Sequence, residues 1–266
     1  MNLSSDSTYT ERYEATLRWF ARTQDAAGTW AREERTTALA LLGFALGGHT
    51  DRIGNYPSQV AFAIPWLEVR LTQMEGSLLS VTVAAFCAMA LVDRRPTQRE
   101  RATRHFARLP GGGVAGRRML ASLTQNDPEA FCWYVVAHRI AADLGFPRTG
   151  TPEELEEELA AAKKHLEKVC PSLPTELADT ELARYLQTLR PTSLQPETDL
   201  PSERNLDLLC LRACLGEAEV GAQTLAPLQE ESQPESGCVR WKGVLPEIST
   251  ACASVVFVQA MHGSRV

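Results

Sequence analysis

The chain has 266 residues, of which 44% are hydrophobic and 23% charged, as in an ordinary globular protein. This length predicts about two domains or one large helical domain, and the composition excludes a disordered chain, a collagen and a membrane-helix bundle. The formal net charge of −6 argues against a nucleic-acid partner. Seven scattered cysteines and a polar N-terminus predict a reduced, cytoplasmic protein that is not integral to a membrane.

Apolar residues recur at spacings of three and four along the chain, which predicts successive helices and no strand. Residues 1–8 are predicted to be a flexible N-terminus, followed by one all-α domain over residues 9–262. The eleven or twelve predicted helices span residues 9–24, 35–47, 58–72, 79–92, 97–108, 117–124, 128–144, 152–169, 176–190, 203–216, 219–230 and 248–261.

The predicted helices are of two kinds. Three are apolar on nearly all sides and must therefore be covered by other helices: 35–47, 79–92 and 248–261. Others carry one charged face and can cover the first kind while facing water: 9–24, 97–108 and 152–169. An inner ring of apolar helices inside an outer amphipathic ring, about six pairs in all, satisfies both requirements.

A repeated unit supports this arrangement: an outer helix, a turn containing Gln and Gly, and then an apolar helix. Glycine gives the turn its φ freedom, and the glutamine amide can bond backbone at helix ends. The three copies run through Gln24-Gly28-Trp30, Gln73-Gly76-Leu78 and Gln229-Gly237-Trp241.

The turn Gln24-Asp25-Ala26-Ala27-Gly28-Thr29-Trp30 resembles the Gln-Trp motif of squalene and hopene cyclases, and the apolar helix that follows from Thr36 is similar to theirs. The likeness extends over about residues 9–92 and returns more weakly over about residues 225–262. Their superfamily, which includes terpenoid cyclases and protein prenyltransferases, implies an α/α toroid. In its enzymes a central cavity holds an isoprenoid chain.

The catalytic motifs of that superfamily are missing. The sequence has neither an Asp-x-Asp-Asp acid motif nor an Asp-Asp-x-x-Asp magnesium motif. Ser236 replaces the aspartate of the prenyltransferase zinc segment, and Met261 replaces the cysteine of the Cys-His-Gly motif of lanthionine cyclases. We expect no metal and no cofactor. The protein is then a binder of an apolar small molecule, with or without lyase, transferase or isomerase activity, or a non-catalytic module that binds a protein partner.

Candidate site residues come from the predicted inner helices. Ligand-binding candidates are an aromatic wall and three hydroxyls: Phe44, Phe86, Trp133, Phe257, Thr37, Thr82 and Thr250. Asp207 and Glu247, near helix starts, and His138, on an apolar helix, are candidate catalytic residues. The alternatives are a helix-dipole role for the two acids and a core position for the histidine.

Three further features have two interpretations each. Arg117 and Arg118 follow a glycine-rich segment and are candidate anion-binding residues, the alternative being a flexible loop. Cys210 and Cys214 share a helix face, where they are either two metal ligands or two core residues. The stretch from Arg94 to Arg118 contains eight arginines, which favours either an acidic partner or anionic lipid, or else a solvated outer face.

Overall fold

The computed structural model describes residues 3–109, 128–146, 152–169, 203–216, 218–231, 237–240 and 244–262. Within these ranges the chain forms ten α-helices, one short 3₁₀-helix at Leu71–Gln73 and no strand, so the predicted all-α class is confirmed. The predicted helices at 117–124 and 176–190 lie outside the described residues.

Helix bounds follow the sequence signals closely, except at the N-terminus. Helix α1 begins at Leu3, whereas the sequence predicted its start at residue 9. Proline opens five of the described helices, because its fixed φ suits the first turn and its missing N–H needs no partner there. The helices are α1 Leu3–Thr23, α2 Glu34–Leu46, α3 Pro57–Arg70, α4 Gly76–Val92, α5 Pro96–Phe106, α6 Pro128–Asp143, α7 Pro152–Val169, α8 Glu203–Cys214, α9 Ala218–Glu231 and α10 Pro246–Met261.

Three helices are buried on every side over most of their length. Burial is continuous from Thr36 to Ala45 in α2, from Ser80 to Ala90 in α4 and from Ser249 to Gln259 in α10. These are the three helices predicted to be covered, so that prediction is confirmed. None of the described helices combines the length and the hydropathy that crossing a lipid bilayer requires.

The buried helices pack against one another in chain order. Helix α2 contacts α4, α4 contacts α6, α6 contacts α8, α8 contacts α10, and α10 contacts α2. The remaining helices lie against these: α3 on α2, α5 on α4, α7 on α6, and both α9 and α1 on α10. We call α2, α4, α6, α8 and α10 the inner helices and the other five the outer helices.

Glutamine amides hold two of the turns that lead from an outer to an inner helix. Gln24 Nε2 donates to the carbonyl of Gly28 at 3.0 Å and to that of Gln59 on α3 at 2.8 Å. Gln229 Nε2 donates to the carbonyl of Gly237 at 3.4 Å and to that of Arg12 on α1 at 3.0 Å. The α1–α2 turn is therefore tied to α3, and the α9–α10 turn is tied to α1.

The glycines of these two turns meet the same outer helices. Gly28 and Gly237 have φ of +85° and +69°, which side chains rarely adopt. A Cβ would stand 2.3 Å from the carbonyl oxygen of Phe62 at Gly28, and 1.8 Å from that of Ala15 at Gly237. Only glycine allows the backbones to approach this closely.

Candidate functional site

Four inner helices bring polar side chains together at their N-terminal ends. Arg35, the second residue of α2, contacts the Asp207 carboxylate on α8, with Nη2 at 2.7 Å and Nε at 3.0 Å from its two oxygens. The same guanidinium donates to Glu129 on α6 at 2.8 Å and to Ser77 on α4 at 2.9 Å. One cation thus joins four helices, and we call these four residues the Arg35 cluster.

Local sequence explains why Arg35 lies at this end of α2. Glu33 precedes the helix, and its side chain accepts the backbone N–H of Arg35 at 2.8 Å and that of Thr36. Such a cap fixes the first turn of the helix. Glu129 and Ser77 are likewise the second residues of their helices, where the helix dipole favours a carboxylate or a polar group.

The cluster is largely buried and still reaches solvent. The side chains of Arg35, Glu129 and Asp207 retain 22%, 24% and 11% of their exposure. Burial raises the pKa of Asp207 to about 7, an effect that Arg35 opposes and Glu129 reinforces. Burial acts to lower the pKa of Arg35, but the charges of Asp207 and Glu129 outweigh it and raise that pKa. Asp207 can therefore take up or release a proton near neutral pH beside a permanent cation.

Trp133 lies one helical turn after Glu129 on α6. Residues four apart share a helix face, so the indole is on the face that carries the Arg35 cluster. The side chain is fully buried, and its Nε1 has no hydrogen-bond partner among the described residues. Leaving such a donor unpaired costs about 1–3 kcal/mol. In contrast, the Nε1 of the equally buried Trp30 donates to the carbonyl of Phe20 at 2.9 Å.

The other predicted wall aromatics lie at the seams between inner and outer helices: Phe44, Phe86 and Phe257. The ring of Phe44 is 6.3 Å from that of Phe20 on α1, and the ring of Phe257 is 6.5 Å from that of Tyr9 on α1. Phe86 lies 4.6 Å from His105 on α5. Each of these three rings therefore lies against a ring of an outer helix, and a wall shared with Trp133 stays a prediction.

The predicted ligand hydroxyls bond to the protein itself: Thr37, Thr82 and Thr250. Thr37 Oγ1 donates to the carbonyl of Glu33 at 2.8 Å, and Thr82 Oγ1 to that of Leu78 at 2.8 Å. Thr250 Oγ1 accepts the backbone N–H of Val239 at 3.0 Å. These bonds secure the starts of three inner helices, and a ligand role for the hydroxyls stays a prediction.

Of the predicted catalytic candidates, Asp207 belongs to the cluster. Glu247 is the half-buried second residue of α10, and His138 is buried on α6 against the rings of Tyr134 at 4.1 Å and Phe106 at 4.8 Å. The predicted anion-binding residues lie outside the described part of the chain: Arg117 and Arg118.

Sequence reasoning missed Arg35 and Glu129. A usable signal was present, because each is a charged second residue at the start of an otherwise apolar helix, as Glu247 is. Aligning the helix starts rather than scanning for known catalytic motifs would have brought these positions together.

The two predicted metal-ligand candidates are buried core thiols. Cys210 and Cys214 are essentially inaccessible to solvent, and burial raises the pKa of Cys214 to about 12. Cys210 Sγ lies 3.7 Å from the carbonyl oxygen of Cys252 on α10. Within the described ranges, no three His, Cys, Asp or Glu side chains are grouped so as to hold a metal ion.

The sequence matches no family model, and neither a curated protein nor a solved structure matches the chain. The likeness of the Gln24–Trp30 turn to the terpenoid-cyclase superfamily stays a prediction. The Arg35 cluster and Trp133 are the features of the structure that bear on function.

Proposed function

We propose that the chain forms an α/α toroid that binds an isoprenoid or another apolar ligand between its inner helices, with the Arg35 cluster at the entrance. The observation that carries this proposal is the buried, unpartnered N–H of Trp133, one turn below Glu129. A long-chain alcohol fits both features, since its oxygen accepts that hydrogen bond and its hydrocarbon chain suits the apolar helices.

The order of helix contacts supports a closed ring. Each inner helix contacts the next, and the last contacts the first. The tie from Gln229 to α1 repeats the tie from Gln24 to α3, so α1 takes the place that the next outer helix would occupy. Five pairs of described helices would make up this ring.

The unpaired N–H of Trp133 favours a ligand with a polar end over a pure hydrocarbon. A site with an unpaired buried donor discriminates strongly in favour of a ligand that supplies the missing acceptor. Asp207, whose pKa is raised to about 7 by burial, can exchange a proton with such a group near neutral pH. Ligand binding is the function we propose, and proton transfer is the chemistry that this site would add to it.

Paired tryptophan variants test the proposal by thermal unfolding with and without a prenyl alcohol. We expect the alcohol to raise the Tm of the wild type by several degrees and to do so more than the matching hydrocarbon. Trp133→Phe removes the unpaired N–H together with part of the buried ring, so it should lower the basal Tm through the lost volume and also lose most of the ligand-induced rise. Trp30→Phe is the matched control, because it removes the same volume at an equally buried position. Trp30→Phe breaks a hydrogen bond, so it should lower the basal Tm and keep the rise.

The alternative is a non-catalytic interaction module with the same fold. The exposure of Phe62 and Val69 on α3, 66% and 73%, favours a role in association. Recovery of only the bare chain in native mass spectrometry, with no alcohol or hydrocarbon raising the Tm, would reject ligand binding and leave this alternative.

A further inference from the structure

Helix α3 is apolar on its outward face as well as its inward one. Its inward residues Val60, Ala63, Ile64 and Leu67 are buried against the core. The opposite face nevertheless carries a row of exposed apolar residues spaced at helical intervals: Ala61, Phe62, Pro65 and Val69. Burial in the core does not account for this row, because large side chains that face solvent gain nothing from folding.

The neighbouring outer helix α5 is fixed alongside this row. Glu68 of α3 pairs with Arg101 at 3.1 Å and with His105 at 3.2 Å. Just beyond the ends of both helices, Arg108 donates to the carbonyl of Thr72 at 3.2 Å. The two helices therefore run side by side in the same direction, and the outer face of α5 borders the apolar row.

That border carries positive charges that no ion pair neutralises within the described residues. Two arginines on the α3 side of α5 are exposed and form no ion pair within the described part of the chain: Arg104 and Arg108. Arg94 and Arg99 lie on the opposite side of α5, where both line a pocket with Asp143. On the other side of the row, the guanidinium of Arg70 stacks 3.8 Å from the ring of the half-buried Trp66. An apolar strip with Trp and Arg at its edges thus lies on a protein whose net charge is −6.

We propose that the α3–α5 face binds the surface of an anionic lipid bilayer. The apolar side chains would enter the headgroup boundary, and the unpaired arginines would meet lipid phosphates. A bilayer fits better than an acidic protein because Phe62 and Val69 are side chains on the outside of a helix, seven residues apart. A bilayer accepts such a convex row without shape complementarity, whereas a protein partner needs a matching groove.

Vesicle flotation of the intact chain tests the proposal. Wild type should float with phosphatidylcholine vesicles that contain about 30% phosphatidylserine, should bind pure phosphatidylcholine much more weakly, and should dissociate as salt approaches about 0.5 M. Arg104→Gln with Arg108→Gln should reduce binding about 25-fold, since each arginine near an anionic surface contributes about fivefold. Phe62→Ser with Val69→Ser should reduce it at least as much.

Control substitutions remove the same chemical groups elsewhere. Leu245→Ser removes another exposed apolar side chain, 56% exposed at the start of α10, and Arg240→Gln removes an exposed charge next to Val239. Both should bind vesicles like the wild type, and every variant should keep its Tm. The proposal is overturned if wild type ignores anionic vesicles at low salt, or if the controls lose as much binding as the α3 and α5 variants. Retention on immobilised polyglutamate without any vesicle binding would assign the face to an acidic protein instead.

Discussion

The carboxyl group of Asp207 couples the Arg35 cluster to the pH of the medium. Burial raises its pKa from 3.8 to about 7, so folding favours the protonated form. A group of this kind contributes its full stabilisation below its unfolded-state pKa and loses it as the pH rises through the folded-state value. The window of that loss therefore runs from about pH 4 to about pH 7.

Asp207→Asn should remove this dependence. We expect the Tm of the variant minus that of the wild type to increase as the buffer changes from about pH 5 to about pH 8. The reason is that only the wild type must bury a charge at the higher pH. Thermal unfolding at several pH values measures the difference. Glu157→Gln, at an exposed position on α7, should follow the wild-type profile at every pH. Parallel profiles for all three proteins would contradict the raised pKa.

Gly28 and Gly48 have the same backbone conformation, so alanine substitutions at the two positions distinguish backbone strain from a steric clash. Gly28 and Gly48 have φ of +85° and +86°, but only at Gly28 would a Cβ meet another backbone atom, whereas nothing lies within 4 Å at Gly48. Gly48→Ala should cost about 1 kcal/mol from φ strain alone. Gly28→Ala should cost clearly more, about 3 kcal/mol or above, because α3 must move away. Equal losses in chemical denaturation would show that the approach to Phe62 does not matter.

Neighbouring helices are held together by hydrogen bonds from the turns as well as by their apolar faces. The Gln24 and Gln229 amides each connect a turn to the neighbouring outer helix, while the third predicted glutamine, Gln73, is exposed and forms no such bond among the described residues. The sequence therefore predicts the same glutamine hydrogen bonds in all three copies of the repeat, but among the described residues only Gln24 and Gln229 form them. The difference arises because Gly76 already opens α4, leaving no turn after Gln73 for the amide to bridge.

Gln229→Ala and Gln73→Ala compare these outcomes at equivalent positions of the repeat. Gln229 is buried, and its loss leaves the carbonyls of Arg12 and Gly237 without that donor, so we expect destabilisation of about 1–3 kcal/mol. Gln73→Ala should change the unfolding free energy by no more than about 0.5 kcal/mol, as is usual at exposed positions. Urea titrations measure the free energy of unfolding of both variants. A larger loss of that free energy for Gln73→Ala than for Gln229→Ala would contradict the assigned roles.

Closure of the proposed ring depends on the contact between the last turn and the first helix. Gly237 lies against Ala15 of α1, more than two hundred residues away along the chain. In an open array of repeats, a defect in the last unit would loosen that end only. In a ring, the same defect frees both chain ends.

Gly237→Ala tests closure by hydrogen exchange. We expect amides of α1 and α10 to lose protection together, because the added methyl group separates the α9–α10 turn from α1. Amides of α6, which contacts neither helix closely, should change least. Mass-spectrometric exchange with peptide resolution measures all three. Faster exchange confined to α10 would argue for an open arrangement.

Local sequence was enough for the helices and for the degree to which each is covered. The helical period of 3.6 residues can be read from neighbouring positions, so a short stretch of sequence is enough to predict a helix. The helices at 35–47, 79–92 and 248–261 were then identified as buried because they have almost no polar face. The same reasoning named Asp207 from its place near a helix start. It could not orient the aromatic residues, because a helix that is apolar on all sides has no preferred face.

Tertiary structure alone decided which side chains meet. Arg35 and Asp207 are 172 positions apart, and their contact requires α2 and α8 to lie near the same end of the core. Phe44, Phe86 and Phe257 turn toward outer helices because those helices supply aromatic partners there. Helix formation is governed by bonds between residues a few positions apart, whereas a site assembled from four helices depends on packing among distant segments, which no local pattern encodes.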